Sequence, residues 1–282
     1  LMKNEESLDN YLEGIFKTYD SLDLLTKFSA LNLIFENQNK NIFTTYLTTH
    51  ALFNLNKDKP ITTNETFKCI IDRVQDNYGL SELVDPAESS FFEYVFLDKE
   101  YGVFNGINIS SAYYVNLIIQ TLLYKKNKLP ELFKNKVLRF IKAGLILSDI
   151  VFRKLNLSFN QITEHNFVKK IIIPNNLDFL KTCLAIDKDK ISNLITAEEL
   201  SKYFLVNIND INLQKEKYTG VTFYYECPFL EKDDKIIILD PTSICYFLKN
   251  LCIKLANEFN CKNEFIEEYN DSVAAYSFDL SK

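Results

Sequence analysis

The chain has 282 residues, of which 47% are hydrophobic and 25% charged, a composition that excludes the low-hydrophobicity, high-charge regime of disorder and allows a large core. Its formal net charge of −6 excludes a global field that would draw it onto nucleic acid or an anionic membrane. Twenty-nine Lys stand against three Arg (Arg73, Arg139, Arg153), a bias matching an AT-rich genome that leaves bidentate guanidinium forks scarce.

Helical periodicity dominates from the start. Ser7 is placed to cap a helix carrying Leu8, Tyr11, Leu12, Ile15, Phe16 and Tyr19 at three-four spacing. A second helix carries Leu22, Leu25, Phe28, Leu31, Ile34 and Phe35, and a third, about 41–55, carries Phe43, Tyr46, Leu47, His50 and Phe53. Thr62-Thr63-Asn64-Glu65 offers a capping box for a helix through Val74, ending at Tyr78-Gly79. Asp85-Pro86 predicts a further helix start. The aromatic stretch that follows (Phe91, Phe92, Tyr94, Phe96, Tyr101, Phe104) reads as helix or as a hairpin turning at DKEYG, and its rings read as core in preference to a stacking surface for bases or a groove for a partner. Ser110 opens an apolar helix to about Tyr124, and Pro130 opens a longer one to about Leu155.

A short helix is expected over 177–186, then a capping box at Thr196-Ala-Glu-Glu199 leading into LSKYFLV. Two β-rich runs, near 221–226 and 235–239, flank Pro228 and the polar turn EKDD, the pattern of a hairpin. Asp240-Pro241-Thr242-Ser243 supplies turn and cap for a helix from Ile244 to about Phe259, with an acidic helix at 263–270 after it. The expected fold is therefore mainly α: a multi-helix assembly with one late β-hairpin (about 221–239) packed on the helices. A helical domain, 1–205, and a hairpin-plus-helix part, 206–282, are expected to pack as one unit.

Phosphate-loop, dinucleotide-binding, nucleophile-elbow and zinc-spacing motifs are all absent from the sequence. His50 reads as a core-boundary residue and His165 as a surface one. Glu226 and Asp240 lie near the open ends of the hairpin, but no acid-x-Lys stands in its second strand, so no catalytic, metal or cofactor residue is assigned and the reading leans away from an enzyme. The six cysteines contain no CxxC pair, and free, mostly buried thiols in a reducing cytoplasmic setting are expected. No signal peptide or uncharged apolar run of about 18 residues is read.

The strongest charge feature lies at 125–154, with nine basic side chains against Glu131 and Asp149. At 100° per residue, Lys136, Arg139, Lys142, Arg153 and Lys154 share one side of a helix, opposite Phe133, Val137, Phe140, Ile141 and Phe152. Lys136, Arg139, Lys142 and Arg153 are the candidate nucleic-acid contacts. Compensation within the chain is the competing reading, since residues 226–282 hold eleven acids against six Lys.

The passage CPFLEKDDKIIILDPTSICYFL, 227–248, runs Pro-Phe-Leu, polar turn, aliphatic strand, then Pro-x-Ser opening a helix, and rests on Pro228, Phe229, Leu230, Asp240, Pro241 and Ser243. It resembles a segment of large uncharacterised prokaryotic proteins, some of them similar to mobile-element or phage-defence factors with a nuclease-like domain elsewhere in the chain. The resemblance implies a non-catalytic module of a larger protein, a reading that the chain ends, Leu1 before Met2 and a finish at FDLSK, also fit. The resulting expectation is a helical interaction or scaffold module whose partner is another protein or another domain of its own chain. A module contacting nucleic acid through the helix at 130–155 is the alternative. No cofactor and no membrane partner are expected.

Overall fold

The apolar stripes read from the sequence become ten α-helices among the residues that the computed structural model describes: 7–31, 33, 38–56, 58–78, 92–104, 111–124, 127–159, 177–207, 224 and 226–280. These residues are 68% helical. In chain order the helices are α1 (Leu8–Thr18), α2 (Ser21–Leu31), α3 (Gln38–Phe53), α4 (Asn64–Tyr78), α5 (Ser111–Leu123), α6 (Glu131–Phe159), α7 (Leu177–Leu184), α8 (Ala197–Tyr203), α9 (Ile244–Glu258) and α10 (Lys262–Leu280). The strands are β1 (Phe92–Phe96), β2 (Glu100–Phe104), β3 (Ala185–Asp187), β4 (Phe229–Lys232) and β5 (Lys235–Ile238). The expected helix start at Asp85-Pro86, and His165, lie outside the described residues.

Local signals fix several ends. The Ser7 side chain accepts the Asn10 amide at 3.3 Å, and at α8 Thr196 and Glu199 close a reciprocal capping box. At α4 the cap is Thr63, whose Oγ1 accepts the Thr66 amide at 3.1 Å. Thr62, the Thr of the expected box, is instead buried and turned towards α2.

The 92–104 stretch is a hairpin. β1 and β2 pair antiparallel, with Tyr94 opposite Gly102, and Leu97–Lys99 turn the chain. A two-stranded ribbon exposes unpaired backbone on both edges. Here each edge is closed by a helical side chain: Asn116 of α5 accepts the Phe96 amide (2.9 Å) and donates to the Tyr94 carbonyl (3.2 Å), while Asp149 of α6 accepts the Gly102 amide (2.9 Å). Gly102 has no alternative, because a Cβ there would sit 2.3 Å from the Phe152 ring. Of the aromatic run, Tyr101 and Phe104 are core, while Tyr94 and Phe96 are exposed.

The late hairpin is present but shifted. Its first strand is Phe229–Lys232 rather than 221–226: Tyr224 has 3-10 backbone and Glu226 lies in a turn, while residues 221–223 and 225 lie outside the described set. The turn is Asp233-Asp234, both at positive φ (49° and 60°), the geometry that matches strand twist in a two-residue connection. β5 is the centre of a three-stranded sheet, because β3 pairs along its other edge. The helix expected over 177–186 accordingly stops at Leu184.

Aromatic rings join the sheet to the helices. Phe204 packs against Phe140 of α6 (5.6 Å), Phe247 of α9 (5.2 Å) and Phe229 of β4 (5.9 Å), so α6, α8, α9 and β4 share one core. α6 and α9 approach so closely at Gly144 that a Cβ would meet Leu248 at 2.7 Å. α10 closes the end of α6 through Phe133–Phe265, 5.7 Å between ring centroids.

A buried ion pair ties α2, the segment before α4, and α7 together. Lys27, 2% exposed, donates to Asp23 Oδ2 (2.9 Å), to the Thr62 carbonyl and to Thr62 Oγ1 (2.7 Å). Asp23 Oδ2 also accepts the Thr62 amide and hydroxyl at 3.1 and 2.8 Å, and Lys181 of α7 reaches Asp23 Oδ1 at 3.1 Å. Burial opposes ionisation of Asp23, but the hydrogen bonds from Lys27 and Thr62, with the Lys181 charge, outweigh it and hold the carboxyl below its ordinary value.

All six cysteines are free. Cys183, Cys245, Cys252 and Cys261 are buried, Cys227 is half-buried and Cys69 on α4 is exposed, so the set is mostly buried. Burial pushes the Cys183 and Cys227 thiols up to about 11. A thiol reagent at neutral pH is expected to modify Cys69 first in the native protein, with the buried four reacting only after denaturation. Cys69→Ser removing no fast phase would contradict this assignment.

Removing one partner of the buried pair leaves an uncompensated charge, so Lys27→Met is expected to cost about 3–5 kcal/mol in chemical denaturation. The stabilisation from Asp23 is fully present above its unfolded value of about 3.9 and is lost as the pH falls through its lower folded value. The stability gap between the native protein and Asp23→Asn is therefore expected to be wide at pH 6 and to close in strong acid. A gap independent of pH would show that the carboxylate's charge contributes nothing.

Candidate functional site

α6 follows Pro130 and runs 29 residues with Phe133, Val137, Phe140 and Ile141 turned into the core, so its basic residues are carried on the opposite side, as their spacing requires. The structure places the four sequence-derived candidates in different circumstances. Arg139 makes a two-pronged contact with Glu199 of α8 (2.8 and 2.6 Å) and also donates to the Leu194 carbonyl. The Glu199 hydrogen bonds hold the Arg139 guanidinium above its ordinary pKa, and Arg139 in turn holds the Glu199 carboxyl down. Lys142 meets Asp98 in the β1–β2 turn at 2.6 Å, and with Tyr101 this keeps the Asp98 carboxyl down at about 2. Arg153 donates from Nε to Asp149 at 2.7 Å, one turn back on the same helix. Lys154, the fifth residue of the stripe, reaches the carbonyls of Thr182 and Ala185, each at 3.3 Å. The compensating carboxylates for Arg139, Lys142 and Arg153 thus come from Glu199, Asp98 and Asp149 rather than from the acidic C-terminal segment.

Lys136 differs. Its ammonium lies 3.4 Å from the Tyr203 hydroxyl and over three rings, 4.8 Å from the centroid of Tyr203, 5.4 Å from Phe140 and 5.9 Å from Phe259. Two further lysines face the same Tyr203 ring: Lys202 at 4.6 Å and Lys254 of α9 at 5.3 Å. Tyr203 donates to Glu258 Oε2 at 2.6 Å, and Lys202 stands 3.5 Å from the other carboxylate oxygen. Burial works against ionisation of Glu258, and the Tyr203 hydroxyl, Lys202 and the more distant Lys136 overcome it, so its carboxyl sits below its ordinary value. The Thr196–Glu199 capping box starts α8, and the Arg139–Glu199 contact pins it to α6, which is what delivers Lys202 and Tyr203 to this place. Lys254 and Glu258 are four apart on α9 and share its face.

Lys202, Tyr203, Lys254 and Glu258 were not singled out by sequence reasoning. The one local signal was the capping box, which fixes where α8 begins but not what it faces. The arrangement gathers three ammonium groups around a buried phenol whose hydroxyl donates to Glu258. The His50 imidazole stands 3.7 Å from Asp9 and packs tilted against Tyr46, 4.3 Å between ring centroids, at the half-buried edge of α3. Asp240 is fully buried, its carboxylate accepting from the Thr242 amide (3.0 Å) and the Thr242 and Ser243 hydroxyls, so it caps the 3-10 turn before α9, whereas Glu226 is exposed. Among the described residues, no group of three His, Cys, Asp or Glu side chains is placed to hold a metal ion, and no helix is long and apolar enough to cross a membrane.

In a double-mutant cycle, Arg139→Met and Glu199→Gln are expected to show a coupling of about 1 kcal/mol in stability, the upper end for a partly exposed but two-pronged pair. Strict additivity would mean that the pair does not hold α8.

No family model matches the chain, and no curated protein or solved structure matches it either.

Proposed function

We propose that the chain is a non-catalytic helical interaction module that docks another protein or a further domain of its own polypeptide. The observation that carries this reading is a group of exposed apolar side chains at the corner where α5, α6 and α10 meet: Leu132 (77% exposed), Tyr124 (57%), Leu123 (53%) and Ile266 (39%). They lie within a few residues of the contacts that build that corner, Thr121–Ser272, Lys128–Glu268 and Phe133–Phe265. Single exposed apolar residues are ordinary on any surface, but several gathered at one corner mark a surface that gains by being covered. The resemblance of residues 227–248 to modules of large prokaryotic proteins points the same way. The nucleic-acid alternative is less well supported, because Arg139, Lys142 and Arg153 already engage carboxylates of their own chain, which weakens the field they can offer to phosphate.

The test is affinity capture from an extract of the source cells, with the native protein and the Leu132→Asp and Tyr124→Asp variants compared after each is shown to melt cooperatively. The native protein is expected to retain a discrete partner that both variants lose. Labelled DNA and RNA are expected to bind no tighter than about 10⁻⁴ M at physiological salt. Identical capture by all three proteins would remove the proposal, and micromolar nucleic-acid binding weakened by Lys142→Gln would put the alternative in its place.

A further inference from the structure

Three cations from three different helices converge on one phenol ring: the ammonium groups of Lys136, Lys202 and Lys254 all lie within 5.3 Å of the Tyr203 centroid. Like charges gathered this closely repel one another unless an anion stands among them. Glu258 is the one carboxylate paired into the cluster in the described structure, through Tyr203 and Lys202. Glu199, the next nearest, is balanced by its two contacts to Arg139. Among the described residues the cluster therefore carries two positive charges in excess, and Lys136 and Lys254 make no ion pair there.

This excess lies beside the apolar corner. Leu132 and Lys136 are four residues apart on α6 and so share a face one turn apart. Phe259, half-buried, joins the two, since its ring packs on Phe133 at 5.8 Å and lies 5.9 Å from the Lys136 ammonium. We infer that this continuous surface of α6, α8 and α9 is the docking site for an acidic segment of a protein partner, one carboxylate seated among Lys136, Lys202 and Lys254 and an apolar side chain resting on Leu132. The inference rests on the interaction-module reading and names the chemistry of the partner.

Two observations favour an acidic peptide over a nucleic acid. Glu258 already shows a carboxylate accepted here by the Tyr203 hydroxyl with a lysine alongside, so the site suits that group. The Tyr203 ring is buried and cannot stack on a base, and exposed Leu132, one turn from Lys136, offers an apolar contact that a sugar–phosphate strand does not use.

The probe is a fluorescein-labelled peptide of alternating Glu and Leu, with a Gln-for-Glu peptide and oligo(dT) as comparisons, read by fluorescence anisotropy at low and at about 0.15 M salt. The acidic peptide is expected to bind, to weaken with salt, and to lose about tenfold in affinity with Lys136→Gln/Lys202→Gln/Lys254→Gln, while the Gln peptide binds at least tenfold more weakly to the native protein. Lys254→Gln alone, on an exposed side chain, is expected to cost about threefold and guards against a folding defect in the triple variant. Leu132→Asp is expected to weaken the acidic peptide further. Oligo(dT) binding more tightly than the peptide and lost in the triple variant would overturn the inference in favour of nucleic acid, and equal binding of the Glu and Gln peptides would overturn it outright. Failure of the acidic peptide beside a Leu132-dependent captured partner would sink the acidic chemistry while leaving the interaction module standing.

Discussion

A helix that carries cations through the middle of a fold must answer each with an acceptor, because a partly desolvated charge without one is costly. With the exception of Lys136, which has only the Tyr203 hydroxyl, the described cations of α6 meet this demand. Lys134 pairs with Glu131, Arg139 with Glu199, Lys142 with Asp98 and Arg153 with Asp149, and Lys154 takes two carbonyls at the start of the small sheet. Each answer also fixes a neighbour. Glu199 holds α8 against α6, Asp98 holds the tip of the first hairpin, and Asp149 serves both Arg153 and the Gly102 amide. The charges of one helix thus set where α8 and the hairpin sit, and the apolar core fills in behind them.

The first hairpin shows how far the fold relies on such side chains. Two strands alone are marginal in water, and this pair has no third strand among the described residues. Asn116 imitates one along β1 by offering both an acceptor and a donor, and Asp149 does the same service for β2 with a single acceptor. Phe152 packs where Gly102 lacks a side chain, so hairpin and helix approach within one ring thickness. The ribbon, which precedes α5 in the chain, is held by side chains of both α5 and α6.

That dependence explains what could and could not be read from the sequence. Caps act within four residues, so Ser7 and the Thr196–Glu199 box were legible, as was the polar turn at Asp233-Asp234. The first hairpin was ambiguous because Phe and Tyr serve helix and strand alike, and the residues that decide for strand, Asn116 and Asp149, lie 20 and 47 positions away from their backbone partners. β3 has three residues, too few for any period to register, and it exists because β5 offers an edge. The β-rich run at 221–226 lies mostly outside the described residues; at Tyr224, which is described, burial goes with 3-10 backbone, since β-branched and aromatic residues mark a half-buried surface rather than a strand as such. The basic stripe was legible as a stripe. That Arg139 and Lys142 would be matched was invisible, since Glu199 and Asp98 come from α8 and the hairpin, whereas the Arg153–Asp149 pair stands four apart on α6 itself.

The scarcity of arginine then limits what the surface can recognise. Arg139 and Arg153 are held by carboxylates, and Arg73 lies over the Tyr11 ring at 4.3 Å on α1. All three are committed within the fold, so no planar fork is offered at the lysine cluster. Lysine presents a compact charge with rotating donors, which attracts an anion without dictating its orientation. Selectivity at such a site must come from what surrounds the charge. Here the surroundings are a buried phenol, a half-buried phenylalanine and, one turn along α6, an exposed leucine. A ligand that satisfies both halves needs an anion and an apolar group a helical turn apart, a spacing that a polypeptide supplies from its own side chains and that a uniformly charged polymer does not.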